Sequence, residues 1–364
     1  MELSTIDKNF AVNEITEGER IRYVIPHPAF SLRGIFYDSD AACFARMPTP
    51  IAEKVNEGVA ALSKHTAGGR LCFKTDSKVL QITVSYQELL MMPHMPLTGS
   101  SGFTLFEKTA DGEQQFVRNL MPIPTNQQGF IAETTLLGGE MREYILYFPL
   151  YNDVKELSLS LDKNACVERS SPYRKELPIL YYGSSITQGG CASRPDHAYQ
   201  AWISKWNGID YINLGFSGSA RGEDIMVDYL ASIDCSLFVC DYDHNAPSVE
   251  HLKNTHFRLY ERYRKIRPNM PILFITKPDI TGDVNGEQRW KIIHDTYIKA
   301  KRSGDKNVYF LSGKKFYNNT ARWEFSVDGC HPTDFGFYKM AKEIYKKMIT
   351  IDEKYSGLSY RTEK

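Results

Sequence analysis

Two hydroxyls stand side by side in the run Tyr182-Gly183-Ser184-Ser185-Ile186-Thr187-Gln188-Gly189. Glycine on both sides gives the backbone room for a sharp turn, the setting in which a serine oxygen can be presented to a substrate. Three other short runs hold complementary groups. Asn213-Leu214-Gly215-Phe216-Ser217-Gly218 ends in a glycine whose bare backbone N–H can approach a developing oxyanion. Asp241-Tyr242-Asp243-His244-Asn245 ends in a side-chain amide able to donate a further hydrogen bond there. Asp328-Gly329-Cys330-His331-Pro332 places a carboxylate and an imidazole three residues apart, so the acid can orient the ring and stabilise its charged form. Singly, each run is ordinary turn sequence: an Asp-x-x-His pair arises by chance in roughly a third of chains this long, and Asp241 with His244 is a second one. Asp241 falls inside an expected buried strand, so Asp328 and His331 are the pair expected to move protons. Jointly the four runs supply a nucleophile, a base with its acid, and donors for an oxyanion, which is the chemistry of acyl transfer.

Such groups must be brought together by a fold. Beyond about residue 175, short apolar segments at 179–182, 211–214, 237–242, 272–276 and 308–311 are each followed by a helical pattern. Stripes such as Tyr199, Trp202, Ile203 and Trp206, or Ile225, Met226, Tyr229, Leu230 and Ile233, recur at helical spacing and read as core. Five β-α units imply an α/β domain with a parallel sheet, whose sites lie on loops at the carboxyl ends of its strands. Three of the four runs are such loops, and the fourth precedes the last amphipathic helix.

Between about residues 70 and 161 the period is two instead. Leu80, Ile82, Val84 and Tyr86 alternate with polar residues, as do Tyr144, Leu146 and Phe148, and Leu157, Leu159 and Leu161. Turn signals at Gly68-Gly69, Asp111-Gly112 and Gly138-Gly139 lie between these runs, which fits an antiparallel β-sandwich of jelly-roll type. The polar stretch 168–178 reads as a boundary, giving an accessory sandwich over 1–170 and a catalytic domain over 175–364.

With the four runs in this order, residues 178–349 resemble the SGNH, or GDSL-like, hydrolases, whose blocks match GSSIT, NLGFSG, DYDHN and DGCHP. The resemblance implies a flavodoxin-like three-layer fold. It also implies Ser185 as nucleophile, His331 as base, Asp328 as its orienting acid, and Gly218, Asn245 and the Ser185 backbone N–H as oxyanion donors. An acyl-enzyme route of this kind requires no metal or organic cofactor. Ser184 stands where the GDS pattern has aspartate, which leaves two adjacent hydroxyls, and the family register selects Ser185. The stretch SKHTAGGRLCFKTDSKVLQITV resembles the sandwich that precedes the catalytic domain in bacterial carbohydrate acetylesterases, including those acting on mannan fragments. That resemblance implies an O-acetyl esterase for acetylated manno-oligosaccharides or related hemicellulose fragments, with the sandwich, similar to a carbohydrate-binding module, as one wall of the cleft. A lipid or thioester acylhydrolase uses the same four blocks, and a non-catalytic glycan-binding protein would keep only the sandwich's role. All four tryptophans (202, 206, 290 and 323) lie in the second half. Trp323, five residues before Asp328, is a candidate for contact with a sugar or for core packing, and Arg194, in the loop after the serine turn, for contact with a sugar or for a surface salt bridge.

Composition narrows the setting. Lys+Arg and Asp+Glu each number 44, so there is no overall field to hold a nucleic acid. The opening MELSTIDKNFAVNEITEGER is acidic where a signal peptide needs a basic flank and an apolar run, and no stretch reaches membrane-spanning length. Seven cysteines, an odd number without a CxxC pair, read as reduced thiols. A cytoplasmic protein without membrane partners is expected, and nothing in the sequence opposes a homo-oligomer.

Overall fold

The computed structural model describes residues 19–126, 128–278, 284–317 and 322–357. The period-two segments form two antiparallel sheets. In one, Val79–Ser85 lies between Glu156–Asp162 and Gly129–Thr135, with Arg20–Ile25 outside. In the other, Arg142–Tyr147 lies between Arg70–Thr75 and Phe103–Lys108, flanked by Val167–Arg169, Ser31–Arg33 and Gln114–Leu120. Alternation turns Leu80, Ile82, Val84, Leu157, Leu159 and Leu161 inward onto Leu71, Phe73, Leu105, Tyr144 and Leu146 of the facing sheet. Each such fully buried side chain contributes about 1.5–3 kcal/mol relative to an exposed one. Val167–Arg169 carries the sandwich into the stretch read as a boundary, because it finds the open edge of Arg70–Thr75.

The second half is a three-layer α/β domain. Its parallel strands are β1 (Ile179–Gly183), β2 (Tyr211–Gly215), β3 (Leu237–Asp241), β4 (Ile272–Ile275) and β5 (Val308–Leu311), in spatial order β2-β1-β3-β4-β5. Both faces are covered, so β1 alternates between two cores: Ile179 and Tyr181 enter one, Leu180 and Tyr182 the other. The helices are α1 (Ser185–Gln188), α2 (Tyr199–Asn207), α3 (Asp224–Ser232), α4 (Val249–Ile266), α5 (Val284–Arg302) and α6 (Asp334–Ile351). Helices α2 and α6 cover the first face, and α3, α4 and α5 the second. Among the described residues, no helix is long and apolar enough to cross a membrane.

The two halves are not separate packing units. Cys72, Phe106, Ile145 and Tyr147 of the sandwich lie in the same core as Tyr181 and Tyr199. On the opposite face, Met47, Ala52 and Val59 join Leu180 and Phe238. Ala52 and Val59 belong to two helices, Thr49–Val55 and Glu57–Leu62, that the sequence reading assigned to a sandwich. At seven and six residues each is too short to display a helical period. Arg70, fully buried, pairs with Asp210 at 2.5 Å and lies 3.7 Å over the Tyr211 ring, which ties the sandwich to the entry of β2.

Candidate active site

Strand β1 ends at Gly183, where an added Cβ would come within 2.2 Å of the Asp241 carbonyl, so only glycine fits. The two adjacent hydroxyls then divide. Ser184 is fully buried, its backbone N–H donates to Asp241 O at 3.0 Å, and its Oγ accepts from Ile186 N–H at 3.2 Å as the cap of α1. Ser185, the first residue of α1 and 6% exposed, places its Oγ 2.8 Å from His331 Nε2.

His331 is held by a tight loop. Val327 N–H donates to His331 O, Thr333 N–H donates to Phe325 O, and Thr333 caps α6. The ring's Nδ1 lies 2.7 Å from Asp328 Oδ2, while Asp328 Oδ1 accepts from the backbone N–H of Cys330 at 2.9 Å and of His331 at 2.7 Å. A proton assigned to Nδ1 leaves Nε2 as an acceptor facing the Ser185 hydroxyl. Partial burial pushes the Asp328 carboxyl up, but the backbone N–H groups and the ring of His331 outweigh it and hold the group at about 2. It therefore stays ionised across the range in which an imidazole can act as a base.

The expected oxyanion donors follow three strand ends. Gly218 adopts φ +67°, with open space where a side chain would stand. Asn245 Nδ2 donates to Phe216 O at 2.8 Å, which fixes the amide and leaves its second N–H unused by that bond. Gln188, on α1, accepts from Ser217 N–H at 3.0 Å and so locks the Gly218 turn to the helix that carries Ser185. The Ser185 N–H, in the first turn of α1, has no intrahelical acceptor. Asn245→Ala removes a donor and the tie to Phe216 together. Its kcat on p-nitrophenyl acetate is expected to fall about 10²- to 10³-fold with KM little changed, and a change confined to KM would contradict that role.

The sequence reading did not find the groups that brace this site from the N-terminal half. Arg46, fully buried, donates to the carbonyls of Leu62 (2.6 Å), His65 (2.7 Å), Asn213 (3.1 Å) and Gly215 (2.5 Å), and lies over the Phe216 ring. His65, kept neutral by burial that pushes it down to about 3, accepts from Gln188 Nε2 at 3.4 Å. Tyr151 Oη donates to Ser185 O at 3.3 Å. His94, exposed on the sandwich loop Met92-Pro93-His94-Met95, sits with its ring 6.3 Å from that of His331. A lone polar ring among prolines and methionines is the signal that could have marked it.

Other candidates are placed as follows. His244 Nδ1 pairs with Asp243 at 3.1 Å, while Asp241 accepts from Thr187 Oγ1. Burial and the neighbouring Asp243 push Asp241 up to about 7. Trp323 is 72% exposed, so it is not a core residue. Trp202 and Trp206 pack on Tyr338, as their stripe implied. Arg194 makes the salt bridge that its sequence setting allowed equally with contact to a sugar. Its guanidinium contacts Asp196 at 3.1 Å and His197 at 2.7 Å and stacks on Phe116 of the sandwich, which makes it an interdomain tie.

Residues 176–350 match the GDSL-like lipase/acylhydrolase family, and residues 22–167 match the domain described as the N-terminus of SGNH-hydro-type esterases. The chain is thus a two-domain member of the SGNH, or GDSL-like, hydrolases. A protein from Bacteroides ovatus described as a GDSL-like lipase is 27% identical with TM-score 0.82, over 92% of this chain and 98% of its own. The salicylyl-acyltransferase SsfX3 of a tetracycline biosynthetic pathway is 16% identical with TM-score 0.75, over 91% and 97%. The acetyl xylan esterase Est2A from Butyrivibrio proteoclasticus is 13% identical with TM-score 0.59, over 93% and 100%. No curated protein matches the chain.

Proposed function

We propose that this hydrolase is a serine esterase that removes O-acetyl groups from carbohydrates, its substrates being acetylated manno-oligosaccharides or related hemicellulose fragments. The observation that carries the reading is the aligned chain Ser185 Oγ, His331 Nε2, His331 Nδ1 and Asp328, with links of 2.8 and 2.7 Å. His331 takes the Ser185 proton as the oxygen attacks the ester carbonyl, and Asp328 stabilises the imidazolium that forms. The oxyanion lies toward the N–H groups of Ser185, Gly218 and Asn245. Collapse expels the sugar hydroxyl, which receives its proton from His331. Water, deprotonated by the same ring, then releases acetate from Ser185.

Two features support a carbohydrate. Trp323, 72% exposed and close in sequence to the Asp328–His331 loop, offers a face on which a sugar ring can stack. Acetyl xylan esterases are among the proteins that share this two-domain fold. A second reading, hydrolysis of longer or aromatic acyl groups, draws on exposed Met91 and Val327, which flank the His94 and His331 loops in sequence. A series of p-nitrophenyl esters separates the two: kcat/KM should be highest for acetate and fall with each added carbon pair. Preference for octanoate, or no release of acetate from acetylated oligosaccharides by mass spectrometry, would overturn the acetyl assignment.

A further inference from the structure

We infer that His94 selects the leaving group: its imidazole hydrogen-bonds a hydroxyl on the carbon next to the one that bears the ester oxygen. His94 stands at the tip of a tight turn, in which Met95 N–H donates to Met92 O at 3.1 Å and these two residues form a β-bridge. The turn is clamped to the catalytic half. Met95, 4% exposed, lies in the core that holds Tyr151 and Ala192, and Thr98 Oγ1 donates to Ser193 O at 2.6 Å. Ala192 and Ser193 belong to the loop that follows α1, and the same loop abuts the base: a Cβ added at Gly190 would come within 3.2 Å of His331 Cδ2. A continuous wall thus runs from the His94 turn through residues 189–193 to His331, and it holds the His94 ring 6.3 Å from the His331 ring.

Three edges of His331 are already assigned. Its Nδ1 is taken by Asp328, its Nε2 faces Ser185 and its Cδ2 faces Gly190. The His331 side chain is still 23% exposed, and His94 is exposed beside it, so the two rings border the same opening. Among the described residues, the ring nitrogens of His94 make no hydrogen bond. Chemistry decides which half of an ester lies there. The carbonyl oxygen is directed to the N–H groups of Ser185, Gly218 and Asn245, whereas the leaving oxygen must come within about 2.6–3.2 Å of Nε2 to receive its proton. The alcohol half therefore extends into the opening that His94 borders. A neutral imidazole has one donor and one acceptor nitrogen, which suits a hydroxyl, itself a donor and an acceptor. The monoester of a vicinal diol, as in a sugar, carries such a hydroxyl on the adjacent carbon.

The inference rests on the serine esterase reading, and its test lets the two fail separately. Wild type, His94→Ala and His94→Phe are compared on cyclohexyl acetate and trans-2-hydroxycyclohexyl acetate. The quantity read is the ratio of kcat/KM for the hydroxy ester to kcat/KM for the plain one. Differences in leaving-group acidity cancel between enzymes, and damage to the fold lowers both rates while sparing the ratio. The ratio should fall about 3- to 10-fold in both variants, the size of one net hydrogen bond. An unchanged ratio in either variant would overturn the inference; retention in His94→Phe alone would mean that the ring's shape, and not its nitrogens, sets the preference. A wild type that hydrolyses both esters but leaves acetylated oligosaccharides intact would refute the carbohydrate reading and keep the His94 contact. No turnover of the two esters would overturn the inference, and if p-nitrophenyl acetate is also untouched, the esterase reading falls with it.

Discussion

Ser185→Ala should lose ester hydrolysis by on the order of 10⁴- to 10⁶-fold while keeping its circular dichroism spectrum and melting profile. The size follows from the proposed roles, because nucleophile, base and acid of a triad act as one unit and removing one member removes nearly the whole effect. The neighbouring hydroxyl provides the control. Ser184→Ala should retain most of the turnover but lose about 1 kcal/mol of stability, because its Oγ caps α1 at Ile186 N–H. Rates with p-nitrophenyl acetate, together with labelling by a fluorophosphonate probe, distinguish the two variants. Full activity in Ser185→Ala with loss in Ser184→Ala would move the nucleophile by one residue and sink the arrangement described above.

The largest effect on stability is expected at a residue that touches no substrate. In Arg46→Met, four main-chain oxygens lose the guanidinium, two of them, Asn213 O and Gly215 O, in buried bonds on β2 just before the Gly218 turn. An unmade buried hydrogen bond costs about 1–3 kcal/mol, and relaxation and water entry should hold the total near 3–5 kcal/mol. Urea unfolding should show that loss, and kcat should fall with it, because the donor turn is no longer braced. A change below about 1 kcal/mol would mean that water replaces the guanidinium without difficulty.

The difference between these residues explains what the sequence reveals. Ser185, Gly218, Asn245 and the Asp328–His331 loop stand at the ends of regular elements, where strand and helix periods announce a turn and residue type suggests a role. The two sheet systems were legible for the same reason, since Leu80, Ile82 and Val84 alternate and the strands from Ile179 onward do not. Arg46 carries no such mark. Its acceptors on β2 are 167 and 169 residues away, and an arginine in a short loop usually reads as surface. The helices at Thr49–Val55 and Glu57–Leu62 escape notice because tertiary packing on the far face of the parallel sheet, and not local periodicity, holds them. Arg194 had the chemistry for a sugar or for a salt bridge, and the folded chain shows its contacts with Asp196, His197 and Phe116, the last of them across to the sandwich.

The shared cores have a consequence for the chain between the halves. Because Phe106 and Tyr147 complete one face of the parallel sheet while Ala52 and Val59 complete the other, neither half has a finished surface alone. A cut within residues 170–178 should therefore break the polypeptide without breaking the molecule. The two fragments should co-elute on gel filtration and melt in one transition, whereas either fragment made alone should aggregate. In assembly terms the protein is an obligate heterodimer whose subunits happen to share one backbone.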